Sequence, residues 1–108
     1  MMEFERLEVE PVPQITAVDI LDKGKQILAK RGQEYEADGK KERSFPQVAI
    51  AFNAITGHEI KGSEVALMLQ ILKDVRRWSQ DRLHEDSIID CTNYSALKGQ
   101  ELFKEYSK

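Results

Sequence analysis

The stretch from residue 64 to 97, EVALMLQILKDVRRWSQDRLHEDSIIDCTNYSAL, constrains this chain more than any other. Between Val65 and Leu72 the only strongly polar residue is Gln70. A helix that is apolar nearly all round belongs at the centre of a fold. After Leu72 the character changes, with Lys73, Arg76 and Arg77 close together and Trp78 just beyond. Residues 80–83 read as a polar link. A second helix is expected to begin between His84 and Asp86, where carboxylates suit the positive end of the helix dipole. Ile88, Ile89, Tyr94, Leu97, Leu102 and Phe103 supply its apolar contacts, and Gly99 is expected to kink or weaken it. A short link favours antiparallel packing, which sets the basic end of one helix beside the acidic start of the next. The pair is either a plain helical hairpin or a hairpin that holds a cation and a phosphate.

The rest of the chain is read around that hairpin. At 108 residues it makes one domain with little core to spare, so a homo-oligomer is expected. A formal charge of −3 argues against a general nucleic-acid binder. The single cysteine, Cys91, excludes an intramolecular disulfide and a cysteine-rich zinc site, and fits a reducing compartment. The longest apolar run, residues 65–69, is far short of the roughly 20 residues that a membrane helix needs. The N-terminus is acidic and has no signal pattern, so a cytoplasmic protein without membrane partners is expected.

Pro11 and Pro13 make residues 1–15 an extended N-terminal arm ahead of a helical domain over 16–108. Thr16 can cap a helix, with Asp19 in its first turn. Val18, Leu21 and Leu28 recur at helical spacing as far as about Gly32, with a resumption over 33–37. Gly24 inside this helix marks a close helix contact. Residues 37–43 form a charged loop. Ser44 and Pro46 then start a helix with a Val48, Phe52, Ile55 stripe, and Gly57 ends it as a left-handed residue. Ser63 reads as the cap of the central helix. The chain is therefore expected to be all-α, a four-helix antiparallel bundle.

Several residues could carry chemistry. Asp86, Asp90 and Asn93 share a helix face, and their carboxylates need a positive neighbour. A divalent cation with oxygen ligands such as Mg²⁺ would serve, and so would a lysine or arginine on the facing helix. Lys73 and Arg76 either make interhelical salt bridges or clamp a phosphate. Arg31, Glu34 and Tyr35 sit near the end of the first long helix; either they close that helix terminus, or Glu34 is a further metal ligand and Tyr35 a stacking group. His84 either touches a phosphate or is a polar cap. Trp78 and Tyr94 either stack on a base or pack in a core or interface, and Cys91 reads as an inert thiol.

The pattern Arg31-x-x-x-Tyr35, the Glu64-Val-Ala-Leu-Met run, Leu72-Lys73-x-x-Arg76 and His84-x-Asp86-Ser87-x-x-Asp90-x-x-x-Tyr94 resembles a family of small phage- and prophage-encoded helical proteins over residues 17–102. That family is distantly similar to the all-α nucleoside triphosphate pyrophosphohydrolases of the MazG and dimeric dUTPase type. Those enzymes hold Mg²⁺ with carboxylates on two antiparallel helices and cleave between the α- and β-phosphates. Asp90 matches the aspartate of their Glu-x-x-Asp motif, Ser87 stands where its glutamate would be, and Leu67 stands where a partner carboxylate of Glu64 would be. The resemblance implies a MazG-like, homodimeric protein of an infected cell's cytoplasm that takes a nucleotide or another phosphate-bearing small molecule. Asp86, Asp90 and Glu34 would then hold Mg²⁺, and Lys73, Arg76, Arg31, Tyr35, His84 and Tyr94 would contact the substrate. The alternative is a non-catalytic phage accessory protein that binds and inhibits a host protein of defence or transcription.

Overall fold

The computed structural model describes residues 14–37 and 45–107, with the side chains of 34–37 outside that description. Four helices make up the described fold: α1 (Ala17–Ala37), α2 (Phe45–Thr56), α3 (Gly62–Trp78) and α4 (Glu85–Tyr106). The expected arm over residues 1–15 as far as Pro13, the charged loop from residue 38 to Arg43 and the Ser44 cap lie outside the described residues.

Helix α1 starts as its sequence suggests. The Thr16 N–H donates to the Asp19 carboxylate at 3.1 Å, and the Asp19 N–H donates back to the Thr16 hydroxyl at 3.1 Å, closing a capping box. The helix runs through Gly32 without a break. Helix α2 ends at Gly57, whose φ of 80° is the left-handed conformation that glycine adopts without a Cβ penalty. The Asn53 side chain then ties down the connection to α3 by bonding both the N–H and the carbonyl of Ile60, at 2.9 and 3.0 Å.

The helices pack in the order α2, α3, α4, α1, with no backbone approach among the described residues between α1 and either α2 or α3. The closest packing is the antiparallel α3–α4 hairpin. Its direction is fixed by the pairs Ser63–Glu105, Gln70–Lys98 and Lys73–Asp90, which run oppositely along the two helices. Phe45, Ala49, Val65, Ala66 and Leu97 form the core cluster, with Leu28, Ile60, Leu69 and Tyr94 against its edge. Helix α1 meets α4 at Gly24, where a Cβ would fall 2.5 Å from the Asn93 side-chain oxygen. The close contact expected of this glycine is thus present.

Four expectations are corrected. Ser63 is not the cap of α3: Lys61 occupies that position, and its N–H bonds the Glu64 carboxylate at 2.7 Å. Ser63 instead lies inside the first turn, where its N–H and hydroxyl both donate to Glu105 of α4, at 3.0 and 2.8 Å. The buried face of α2 carries Phe45 and Ala49 rather than a Val48, Phe52, Ile55 stripe. Val48 is half-exposed and Ile55 largely exposed, because among the described helices α2 packs chiefly on α3, with Leu97 of α4 reaching its Phe45–Ala49 face. Helix α3 is central in topology but not enclosed, since Leu67, Met68, Ile71, Leu72, Val75 and Trp78 all keep substantial exposure. Helix α4 also continues through Gly99, and a Cβ there would meet nothing within 4 Å.

Candidate functional site

The hairpin geometry brings the basic end of α3 to the acidic start of α4. Lys73 Nζ lies 2.9 Å from Asp90 Oδ2, with side-chain exposures of 16% and 18%, so the pair is mostly removed from water. Removing one partner would leave the other a largely buried charge without a counter-ion.

Residues around this pair are held by their own local chemistry. His84 takes the N-cap position of α4, and its Nδ1 lies 2.6 Å from the Ser87 hydroxyl. Ser87 is 1% exposed, the most deeply buried polar residue described. A glutamate at this position would have to bury a carboxylate in the space that a serine hydroxyl fills. Asp86 is exposed in the first turn of α4, where the helix dipole favours it. Asn93, one turn after Asp90, is 5% exposed, and its side-chain nitrogen has no hydrogen-bond partner. An unmatched buried donor costs about 1–3 kcal/mol and marks a place where an acceptor or an ordered water fits.

The remaining candidates are dispersed. Arg76 is exposed on α3. Arg31 is exposed on the stretch of α1 that follows Leu28 and Ala29 alongside Leu97 and Gln100, and is not brought to the Lys73–Asp90 pair. Tyr94 is half-buried against the core cluster. The Glu34 and Tyr35 side chains lie outside the described residues. Among the described residues, no group of three or more histidine, cysteine or acidic side chains gathers as a metal site.

A groove of about 660 Å³ opens on the other side of the hairpin, lined by Leu21, Asp74, Arg77, Trp78, Ile88 and Cys91 among others, and neither Lys73 nor Asp90 lines it. The Arg77 guanidinium stacks on the Trp78 ring at 4.9 Å. The Cys91 thiol donates to Asp74 at 3.3 Å. Burial pushes this thiol above its ordinary range and the Asp74 carboxylate adds to the shift, so the unreactive protonated form is favoured.

The sequence gives no direct sign of Ser87 as a buried anchor or of Glu105 as a cap in trans. His84-x-x-Ser87 does have the spacing at which two side chains meet on a helix start, and that signal was available. A family profile covers residues 19–102, most of the chain, and spans this whole arrangement. The chain belongs to the DUF6378 family, a domain of unknown function. No curated protein and no solved structure matches it. The DUF6378 match takes in α3 and nearly all of α4, together with Lys73, His84, Asp86, Asp90 and Asn93. No described helix is long and apolar enough to cross a membrane.

Proposed function

We propose that this DUF6378 protein is a phage-encoded binder of a nucleotide or another phosphate-bearing small molecule, with its site at the Lys73–Asp90 end of the hairpin. The observation that carries the reading is the largely buried Lys73–Asp90 pair, with the unmatched Asn93 donor one turn along α4 on the side that meets α1. Helix–dipole stabilisation alone would require neither a lysine brought to Asp90 nor a buried amide without an acceptor.

The Lys73–Asp90 pair works as an exchangeable latch. A phosphate oxygen takes the Lys73 ammonium, with Arg76 one turn along α3 able to join it, and Asp90 is released. Asp90 and Asp86 then present two carboxylates to a cation that arrives with the phosphate. Two carboxylates suit Mg²⁺, which keeps waters and takes much of its coordination from substrate phosphates. When bound, Mg²⁺ would neutralise phosphate charge and polarise water. Burial of Ser87 at the position where MazG-type enzymes carry a glutamate favours binding over the full hydrolytic metal set. Pyrophosphohydrolysis on a MazG-like bundle is the enzymatic form of the same proposal.

Calorimetry with Mg²⁺ and a panel of nucleoside triphosphates, followed by pyrophosphate release, tests the reading. Binding to the wild type that is lost in Asp90→Ala supports it, and release of pyrophosphate makes the protein an enzyme. No binding to the wild type, or equal binding by Asp90→Ala, rejects it in favour of an accessory protein that acts on a host protein.

A further inference from the structure

The groove on the far side of the hairpin from Lys73 and Asp90 carries charges that the phosphate site does not use. Asp74 and Arg77 of α3 both line it. Residues three apart on a helix are neighbours, and opposite charges at that spacing commonly pair. Asp74 and Arg77 do not. Among the described residues, ion pairs join Lys23 to Glu85, Lys73 to Asp90 and Lys104 to Glu101, and neither Asp74 nor Arg77 enters one. Asp74 instead accepts the Cys91 thiol of α4 at 3.3 Å. Burial and Asp74 itself keep that thiol protonated, so it does not offset the carboxylate charge. Arg77 lies with its guanidinium over the Trp78 ring at 4.9 Å. A guanidinium stacked by its face keeps its N–H edge free for an anion. Leu21 of α1 and Ile88 of α4 add an apolar wall beside the two charges.

We propose that this groove binds a free α-amino acid with an apolar side chain. Its carboxylate sits on Arg77, its ammonium on Asp74, and its side chain against Leu21, Ile88 and Trp78. Charge selects this occupant. A simple anion, a phosphate above all, is repelled by the Asp74 carboxylate, and a simple cation by the Arg77 guanidinium. A ligand with both charges on one carbon satisfies the two together, because neighbouring turns of one helix present them side by side. Arginine suits the carboxylate end, since its planar fork takes both oxygens in parallel. The groove volume of about 660 Å³ falls in the range of small-ligand sites, which combine apolar walls with a few placed polar groups. Because neither Lys73 nor Asp90 lines the groove, amino-acid binding and phosphate binding succeed or fail separately.

Trp78 is the only tryptophan of the chain and Cys91 its only cysteine, and both line the groove. The protein therefore carries two reporters of the occupancy of this site. Titration of the full chain with L-leucine and with L-phenylalanine tests the proposal. Tryptophan fluorescence should change saturably, and alkylation of Cys91 by iodoacetamide should slow several-fold at saturation. 4-Methylpentanoate and isopentylamine each keep the leucine side chain and one of its two charges. Both should bind at least about tenfold more weakly than L-leucine. Arg77→Gln and Asp74→Asn proteins, checked for helix content by circular dichroism, should lose affinity for L-leucine by a similar factor. Alkylation of each variant is compared with and without ligand, so that a changed intrinsic thiol reactivity cancels. A wild type in which neither reporter responds to either amino acid up to its solubility overturns the proposal. Equal binding of a single-charge analogue overturns it as well, and so does unchanged binding by Arg77→Gln or Asp74→Asn.

Discussion

The two ends of the α3–α4 hairpin use similar residues for different purposes. At the start of α3, Glu105 of α4 accepts both the N–H and the hydroxyl of Ser63, while Glu64 accepts the Lys61 N–H. The carboxylates there bind backbone donors that have no other intrahelical partner. At the far end, Asp90 binds the tip of the flexible Lys73 side chain. Main-chain donors cannot swing away, whereas a lysine can change partners at the cost of a few rotamers. The acidic residues of α4 therefore divide by what they face: Glu105 holds main-chain donors, and Asp90 holds a side chain that can change partners.

Substitutions at the two ends should separate these roles. The largest effect is expected for Gly62→Ala at the fastened end. Its Cβ would lie 3.0 Å from Glu101 Oε1 and 3.2 Å from the Pro46 backbone nitrogen, and backbone does not yield. Urea unfolding should show a loss of about 2–3 kcal/mol, typical of overpacking. Glu105→Ala removes the cap donated in trans and should cost about 1–2 kcal/mol by the same measurement. Lys73→Met should cost less, about 1 kcal/mol, because the pair keeps some exposure, yet it should abolish phosphate binding. A larger stability loss for Lys73→Met than for Glu105→Ala would break the distinction between the two ends. The smallest effect is expected at Cys91. Asp74 raises the pKa of this thiol, so Asp74→Asn should lower it, increase the thiolate fraction at neutral pH and speed alkylation a few-fold. An unchanged alkylation rate would show that burial alone holds the thiol.

Much of this was readable from local spacing. The Thr16–Asp19 cap, the left-handed Gly57 and the close approach at Gly24 all follow from short-range chemistry, and each is present. The Lys73–Asp90 pair followed from a short link and opposite charges at the two helix ends. Contacts across long separations were not readable. Ser63 looks like an N-cap until Glu105, forty-two residues away, takes its donors. The exposed face of α3 was hidden by its composition. Apolarity on all sides reads as burial, and only the tertiary arrangement shows that the other described helices cover one side and leave the other exposed.

The linear order of the helices has a kinetic consequence. Helices α3 and α4 are joined by residues 79–84 alone, so their pairing closes a short loop and should form early. Helix α1 must be brought back across the length of the chain to reach α4, its only described helix neighbour. Gly24 at Asn93 and the exposed Lys23–Glu85 contact at 2.6 Å are among the few ties that hold it there. Such a helix opens as a separate cooperative unit, and its amide protons should exchange well before those of the hairpin. Each opening would bare the Asn93 amide to solvent while the α3–α4 hairpin and its Lys73–Asp90 pair stay folded.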